Sequence, residues 1–339
     1  MSMSDKKPSA GIPWMSALRS TTVAAAIILL MAQAGRGDMM AIYEGLTVWA
    51  IPAMFMLWGM RDLEGGQPGV GFAVKNRLLP AVGTLLIWGI LFALLEAGLN
   101  GDPFTVKSVL GMIQGVFLGH CAEHLWVLYP LIGLYLVYPI LQRFTAGATR
   151  GEAFYMLLLC FLFSSLIPML EELLPRSEIF AVLSDLHVDL VLGWTGCYLA
   201  GWYILHFPIR NLSEDIIYIL GIAGQIMTLA GDHVFGGGYS LWYKYSSPNV
   251  VFTALAVCTL FRYVLDERAA RGSHPVGGFA MGIYFFHQVL AMVFTNYGLA
   301  FDFMPDALAV PLMALILFLL SIPVALILHK IPKLNSVMT

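Results

Sequence analysis

Long runs of apolar residues, separated by short polar segments, extend along almost the whole of this sequence. A helix needs about 20 residues to cross the roughly 30 Å of hydrocarbon in a bilayer, and backbone groups in lipid must be hydrogen-bonded within the protein. We therefore predict an all-α, polytopic integral membrane bundle of about ten transmembrane helices. The predicted spans are Ala17–Ala34, Ala41–Met60, Leu79–Ala97, Leu125–Leu141, Ala153–Leu170, Leu190–His206, Asp215–Ala230, Val250–Leu265, Gly278–Tyr297 and Ala307–His329.

The composition agrees with a surface that faces lipid. Hydrophobic residues make up 59% and charged residues only 12% of the 339 residues, whereas soluble domains carry roughly 25% charged residues. No soluble domain follows the first apolar run, so we interpret that run as a retained span and not as a signal peptide. We expect a disordered cytoplasmic tail over residues 1–11 and one transmembrane domain over residues 12–334. The net charge of −3 gives no indication of a nucleic-acid partner.

The positions of lysine and arginine predict the orientation of the spans. With the N-terminus inside, 14 of the 18 basic residues fall on the inner side, which is the bias that the positive-inside rule expects. We therefore predict an inner-membrane protein with both termini in the cytoplasm. Four basic residues fall on the outer side: Arg36, Lys107, Arg176 and Lys244.

The longer loops lie on the outer side in this topology. Thr105–Leu118 is amphipathic and suits a helix in the membrane interface. Gly231–Asn249 is rich in glycine and aromatic residues. Such residues are typical of an interfacial aromatic belt, and they equally suit the binding of a sugar or a lipid head group.

The cysteines and histidines do not predict a metal site. The four cysteines include no CxxC pair, and we interpret them as small packing residues. His120–His124 has the spacing of the HxxEH zinc-peptidase motif, but that motif needs a helix and a third ligand. His124 and Trp126 instead lie at the start of a span, where an interfacial pair is common.

Several ionisable residues lie in or next to the spans, where they are costly. Arg19, Lys75 and Arg77 lie near the predicted inner face, either as anchors that extend to the interface or as ligands for the phosphates of an anionic cofactor. His287 lies in the middle of the ninth span. It is either a general base or proton relay, or a histidine hydrogen-bonded between helices.

Four stretches carry a family resemblance. They are Ile12–Arg19 in the first span, Lys75–Pro80 before the third, the segment His124–Tyr129 with Ile132–Leu136 and Pro139–Leu141, and Gly282–His287. Together they resemble the acyltransferase-3 family, which includes membrane O-acyltransferases of surface polysaccharides and common antigen.

The resemblance implies the transfer of an acyl group, usually acetyl from acetyl-CoA, to a hydroxyl of a cell-envelope glycan or a lipid-linked sugar. It implies that Arg19, Arg77 and Lys75 bind the donor at the inner face and that no metal takes part. His287 and His124 would act as bases, and the neighbouring Trp126 and Tyr284 would contact the substrate.

Three positions depart from the family pattern. Leu30 stands where the family has a catalytic histidine, eleven residues after the first-helix arginine; Val74 replaces the partner of Arg77; and Trp58-Gly59 replaces a Ser-Gly pair. Because leucine cannot accept a proton, two functions stay open. One is an acyltransferase whose base has moved to His287 or His124, and the other is a non-catalytic relative that transports or binds an envelope glycan or lipid. An unrelated transporter is a weaker alternative, since no inverted repeat is visible.

Overall fold

The computed structural model describes residues 12–35, 37–64, 69–102, 105–119, 122–174, 179, 182–183, 193–265, 275–299 and 304–330. In these ranges the chain forms helices and no β-strand. The principal α-helices are α1 (Pro13–Ala34), α2 (Asp38–Thr47), α3 (Ala50–Asp62), α4 (Val70–Ala73), α5 (Leu79–Asn100), α6 (Val106–Phe117), α7 (Leu128–Gly147), α8 (Arg150–Phe161), α9 (Ile167–Leu173), α10 (Thr195–His206), α11 (Asn211–Phe235), α12 (Tyr239–Trp242), α13 (Pro248–Tyr263), α14 (Ala280–Asn296) and α15 (Asp306–His329).

Over its described residues, every predicted span coincides with one of these helices or with two in succession, and the predicted all-α membrane bundle is confirmed; residues 190–192 of the sixth predicted span lie outside the described ranges. In the described part of the chain, seven helical segments are long and apolar enough to cross a membrane: Pro13–Ala34, Asp38–Asp62, Val70–Asn100, Glu123–Gly147, Arg150–Leu173, Asn211–Phe235 and Asp306–His329. The three other spans correspond to α10, α13 and α14, which have 12, 16 and 17 residues.

Two of the long segments contain a π-helical turn, and each turn lies just before a proline. The turns are Val74–Leu78 and Leu162–Leu166, followed by Pro80 and Pro168. A proline inside a helix removes one backbone hydrogen bond and crowds the preceding turn, and a π turn accommodates both effects. The last span also contains two prolines, Pro311 and Pro323, but α15 continues through both.

Helices α3 and α10 approach so closely that glycine is required at their contact. A Cβ atom on Gly59 would lie 1.7 Å from the carbonyl oxygen of Tyr198, and one on Gly201 would lie 1.8 Å from that of Met56. Small residues at such crossings let two backbones touch in a membrane bundle. This crossing brings Tyr198 to the end of α3, which matters for the site described below.

Replacing Gly201 with alanine should therefore destabilise the protein by about 1–3 kcal/mol or more, because the new methyl group overlaps backbone and not a mobile side chain. Thermal unfolding in detergent micelles measures the effect. Gly133→Ala in α7 is the matched control, because beyond its own helix no atom of the described residues lies within 4 Å of its added Cβ. Equal unfolding midpoints for the two variants would contradict the close-packing argument.

Candidate functional site

Asp62, the last residue of α3, is the centre of a buried polar network. Its carboxylate accepts hydrogen bonds from Arg61 Nε at 2.6 Å and Arg61 Nη2 at 3.1 Å. It also accepts them from the hydroxyls of Tyr135 at 3.0 Å and Tyr198 at 3.1 Å. Arg77 completes the network with an ion pair of 2.9 Å to Oδ1. We call these five residues the Asp62 cluster.

The Asp62 cluster depends on three separate features of the fold. The α3–α10 glycine contact supplies Tyr198, and the tyrosine-rich face of α7 supplies Tyr135. The π turn before Pro80 supplies Arg77. The backbone carbonyl of Asp62 is also satisfied, since it accepts bonds from Tyr138 and Gln142 of α7. The side chain of Asp62 is fully buried, so its charge has to be neutralised by these neighbours.

Arg19 adds a third cation near the Asp62 cluster. It is 7% exposed, and the charges of Arg61 and Asp62 both act on it. Its two terminal nitrogens are buried and have no hydrogen-bond partner in the described part of the chain. Arg19 also lines a cavity of about 20 Å³, together with Thr22, Trp58 and Ala280, among others. Three arginines beside one carboxylate leave two uncompensated positive charges, which is a favourable setting for an anion.

The three predicted donor-binding residues have different surroundings in the structure. Arg19 and Arg77 lie at the same end of the bundle, but Arg77 is paired with Asp62 and is not one of the residues that line the cavity beside Arg19. Lys75 is exposed in the same π turn as Arg77. The sequence-based prediction did not include Arg61 or Asp62, although these two residues form the ion pair at the centre of the cluster.

His124 and His287 form a second buried site, which we call the histidine pair. Their ring centroids are 5.8 Å apart, and the two side chains are 1% and 0% exposed. Phe92 packs edge-on against the His124 ring at 4.7 Å. The Tyr284 hydroxyl donates a bond of 2.8 Å to the backbone carbonyl of His124. This contact ties α14 to the start of the fourth span, and it brings three predicted site residues together.

The hydrogen bonds of His287 indicate its tautomer. Nδ1 lies 2.5 Å from the backbone carbonyl of Tyr284, and because a carbonyl only accepts, Nδ1 carries the proton. Nε2 then holds a lone pair, and no described residue hydrogen-bonds to it. The His124 ring lies near the Phe285 carbonyl, yet neither of its nitrogens makes a hydrogen bond of ordinary geometry within the described ranges. Buried polar atoms of this kind usually have a partner, so they indicate a function or a ligand.

A wide groove runs along one side of the bundle. Its volume is about 1400 Å³. Helices α8 and α11 form its sides, and residues of α10 and α13 line it between them. Phe154 and Ile216, on the two sides, are 59% and 47% exposed, so the groove opens toward lipid. We call it the lateral groove.

One end of the lateral groove is polar. Glu44 accepts a hydrogen bond from Gln33 at 3.0 Å and another from the Tyr239 hydroxyl. Gln33 also donates to the Tyr245 hydroxyl at 3.0 Å. Burial, with the hydrogen bond to Glu44, raises the pKa of Tyr239. The phenol therefore stays protonated and continues to donate. Trp126 stacks on Tyr245 with ring centroids 5.0 Å apart, so it helps to hold the Tyr245 ring in position.

Leu30, which the resemblance aligns with a catalytic histidine, lies on α1 about 16 Å from Arg19 at 1.5 Å per residue. It is partly buried and packs against the hydrophobic core. It lines neither of the two cavities described above, whereas Gln33, one turn further along, lines the lateral groove. The α1 side chain near this position that lines a cavity is therefore the amide of Gln33.

No three His, Cys, Asp or Glu side chains in the described ranges are grouped so that they could hold a metal ion. His120 and Cys121 of the HxxEH pattern lie outside those ranges. Sequence reasoning missed Asp62 and Glu44, two carboxylates near the ends of the second span. An acidic residue close to or within a span was the available signal.

Comparison with known proteins identifies the family. Residues 32–330 match the sequence model of the acyltransferase-3 family, described as an acyltransferase domain. The match covers most of the chain, which therefore belongs to this family of membrane acyltransferases. The first part of α1, with Arg19 and Leu30, precedes the matched residues. No curated protein and no solved structure was found to match the chain.

Proposed function

We propose that this member of the acyltransferase-3 family transfers an acyl group, acetyl from acetyl-CoA, to a hydroxyl of a cell-envelope glycan or glycolipid at the inner membrane. The observation that carries the proposal is the free Nε2 lone pair of the buried His287. A general base needs such a lone pair within reach of the hydroxyl that it activates. The family membership supplies the reaction type.

The reaction then proceeds by direct transfer. Nε2 of His287 takes the proton of the acceptor hydroxyl while the oxygen attacks the thioester carbonyl. The new C–O ester bond forms, the C–S bond breaks, and the imidazolium returns its proton to the departing thiolate of coenzyme A. The His124 ring lies against the His287 ring, with centroids 5.8 Å apart, and would form part of the wall around the reacting atoms. The neighbouring aromatic rings exclude water, which protects the thioester from hydrolysis.

The positive charge around the Asp62 cluster supports a donor site at that end of the bundle. The unpartnered nitrogens of Arg19 are suited to charge-assisted hydrogen bonds with phosphate. The cavity that Arg19 lines, about 20 Å³, holds no more than a single water, so the helices must separate for the donor to bind. Ala280 lines that cavity, and His287 lies seven residues further along α14, about 10 Å away along the axis. The donor's acyl end would therefore point toward the histidine pair.

The direct test is acetyl-CoA consumption by the purified protein, with and without glycolipids extracted from envelope membranes. We expect turnover that depends on the acceptor. In Arg19→Ala the KM for acetyl-CoA should rise roughly 10–100-fold, because hydrogen bonds to charged groups are lost. Arg143→Ala is the matched control, since Arg143 is exposed and does not line the cavity. Absence of turnover with every acceptor would favour the alternative, a non-catalytic relative that binds or transports an envelope glycan or lipid.

A further inference from the structure

The lateral groove combines two environments that a single lipid-linked substrate would need. Most of its length is lined by apolar side chains of α8, α10, α11 and α13, including Leu157, Ile217 and Leu255. Its polar groups lie at the two ends: one set is around Glu44, and at the other end Arg150 donates to the Tyr203 hydroxyl at 3.2 Å. From Arg150 to Ser164 the side formed by α8 and the following π turn advances by fourteen positions, or about 21 Å at 1.5 Å per residue. A groove of this length within the membrane-spanning part matches an extended hydrocarbon chain.

The chemistry of the polar end selects the head group. Glu44 supplies a carboxylate, Gln33 an amide and Tyr245 a hydroxyl, and these are partners for hydroxyl groups. The one lysine there, Lys244, is already paired with Glu172. A phosphate would meet the negative charge of Glu44 without a free cation in the described part of this end, whereas an uncharged sugar would donate its hydroxyls to that carboxylate.

Ser164 is a second, independent indication that this end binds something. The π turn before Pro168 carries Ser164 and Ser165 to the groove. Ser165 donates to the Ser246 carbonyl at 2.5 Å. The hydroxyl oxygen of Ser164 is buried and has no hydrogen-bond partner in the described ranges. Insertions that form π turns are frequently found at functional sites.

The polar end also lies next to the histidine pair. Tyr245 lines the groove and is within electrostatic range of Tyr284. Tyr284 in turn contacts the His124 ring at 5.8 Å and the His287 ring at 5.8 Å. Trp126, two residues after His124, stacks on the Tyr245 ring. A head group beside Tyr245 would therefore be one aromatic layer from the proposed base.

We propose that the lateral groove is the acceptor site, which binds a lipid with an uncharged, hydroxyl-rich head group at Glu44, Gln33 and Tyr245 and its chain between α8 and α11. The role of the bound lipid as acceptor rests on the proposed function, but its binding does not require catalysis. Glu44 fixes the head group by accepting its hydroxyl protons. Because the groove opens sideways, such a lipid would enter from the bilayer.

The test uses the full chain in phosphatidylcholine nanodiscs, prepared without glycoside detergents and without acyl donor. The probe is an alkyl maltoside with a diazirine in its chain, and cross-linked residues are located by mass spectrometry. We expect saturable labelling of α8 and α11 that unlabelled alkyl maltoside competes. Glu44→Gln should weaken the apparent affinity about tenfold, as expected for a lost hydrogen bond to a charged group. Glu96→Gln, a change at an exposed carboxylate of α5, should leave it unchanged.

A second variant checks the chain position. Ala200 of α10 lines the groove, and Ala200→Trp should abolish labelling while the unfolding midpoint stays within the range of the other variants. Labelling that is confined to other helices, or that Glu44→Gln leaves unchanged, would overturn the proposal. So would labelling that unlabelled alkyl maltoside does not compete, because the groove would then take up any bilayer lipid. Since no donor is present, these results are independent of whether acyl transfer occurs.

Discussion

Replacing His287 with alanine is expected to lower kcat for acetyl transfer by roughly 10²–10⁴-fold, the usual contribution of a general base. In the structure, Nδ1 is committed to the Tyr284 carbonyl and Nε2 is left with its lone pair. Alanine removes that proton acceptor and nothing in the described surroundings replaces it except His124. The KM for acetyl-CoA should change much less, because the Asp62 end of the bundle is untouched. Initial rates at saturating donor measure the effect.

A structural role for His287 would give a different pattern. The residue is fully buried, so His287→Ala also leaves a void, and the unfolding midpoint must be measured beside the rate. His287→Gln fills the space and can keep the bond to the Tyr284 carbonyl, but it cannot act as a base. We expect it to restore stability and not activity. His233→Ala, at an exposed position near the end of α11, is the control. Full turnover in His287→Gln would show that the base lies elsewhere.

The fold was predictable from the sequence because each span carries its own signal. Apolar runs of about 20 residues must form helices in lipid wherever their neighbours lie. The details that the sequence did not predict were those that depend on packing between helices. The second span contains a break between α2 and α3, and α10 is a short helix that depends on Gly59 and Gly201 for its contact with α3.

The candidate site was predictable only where one motif contains its residues. Gly282–His287 and His124–Tyr129 pointed to the histidine pair, and the structure brings these stretches together. The Asp62 cluster joins residues 73 and 136 positions apart in sequence, and no local pattern encodes such a contact. The lateral groove was equally hidden, because α8 and α11 have the composition of any lipid-facing helix. Its polar end depends on Gln33 of α1 and Glu44 of α2, which form a hydrogen bond with each other.

Asp62→Asn is expected to destabilise the protein by about 3–5 kcal/mol, the range for removing one partner of a buried ion pair. The substitution keeps the size of the side chain but leaves Arg61 and Arg77 without their counter-charge. Both tyrosine hydroxyls, of Tyr135 and Tyr198, donate to Oδ2, so an amide nitrogen in that position also removes their shared acceptor. A large fall in the unfolding midpoint in detergent micelles, or loss of folded protein from the membrane, would be the observed result. Asp215→Asn, at an exposed position of α11, should have almost no effect.

A double-mutant cycle separates the loss of the Asp62–Arg77 ion pair from the general effect of a mutation in the core. Arg77→Gln alone removes a cation and should also destabilise, but less, because Asp62 keeps Arg61. In the double variant the unpaired charge of Arg77 is gone, so the combined loss should be smaller than the sum of the single losses by about 0.5–3 kcal/mol. Strict additivity would show that Asp62 and Arg77 do not stabilise each other. It would also remove the argument that this carboxylate holds the arginines in place for the donor, since that role requires the same contact.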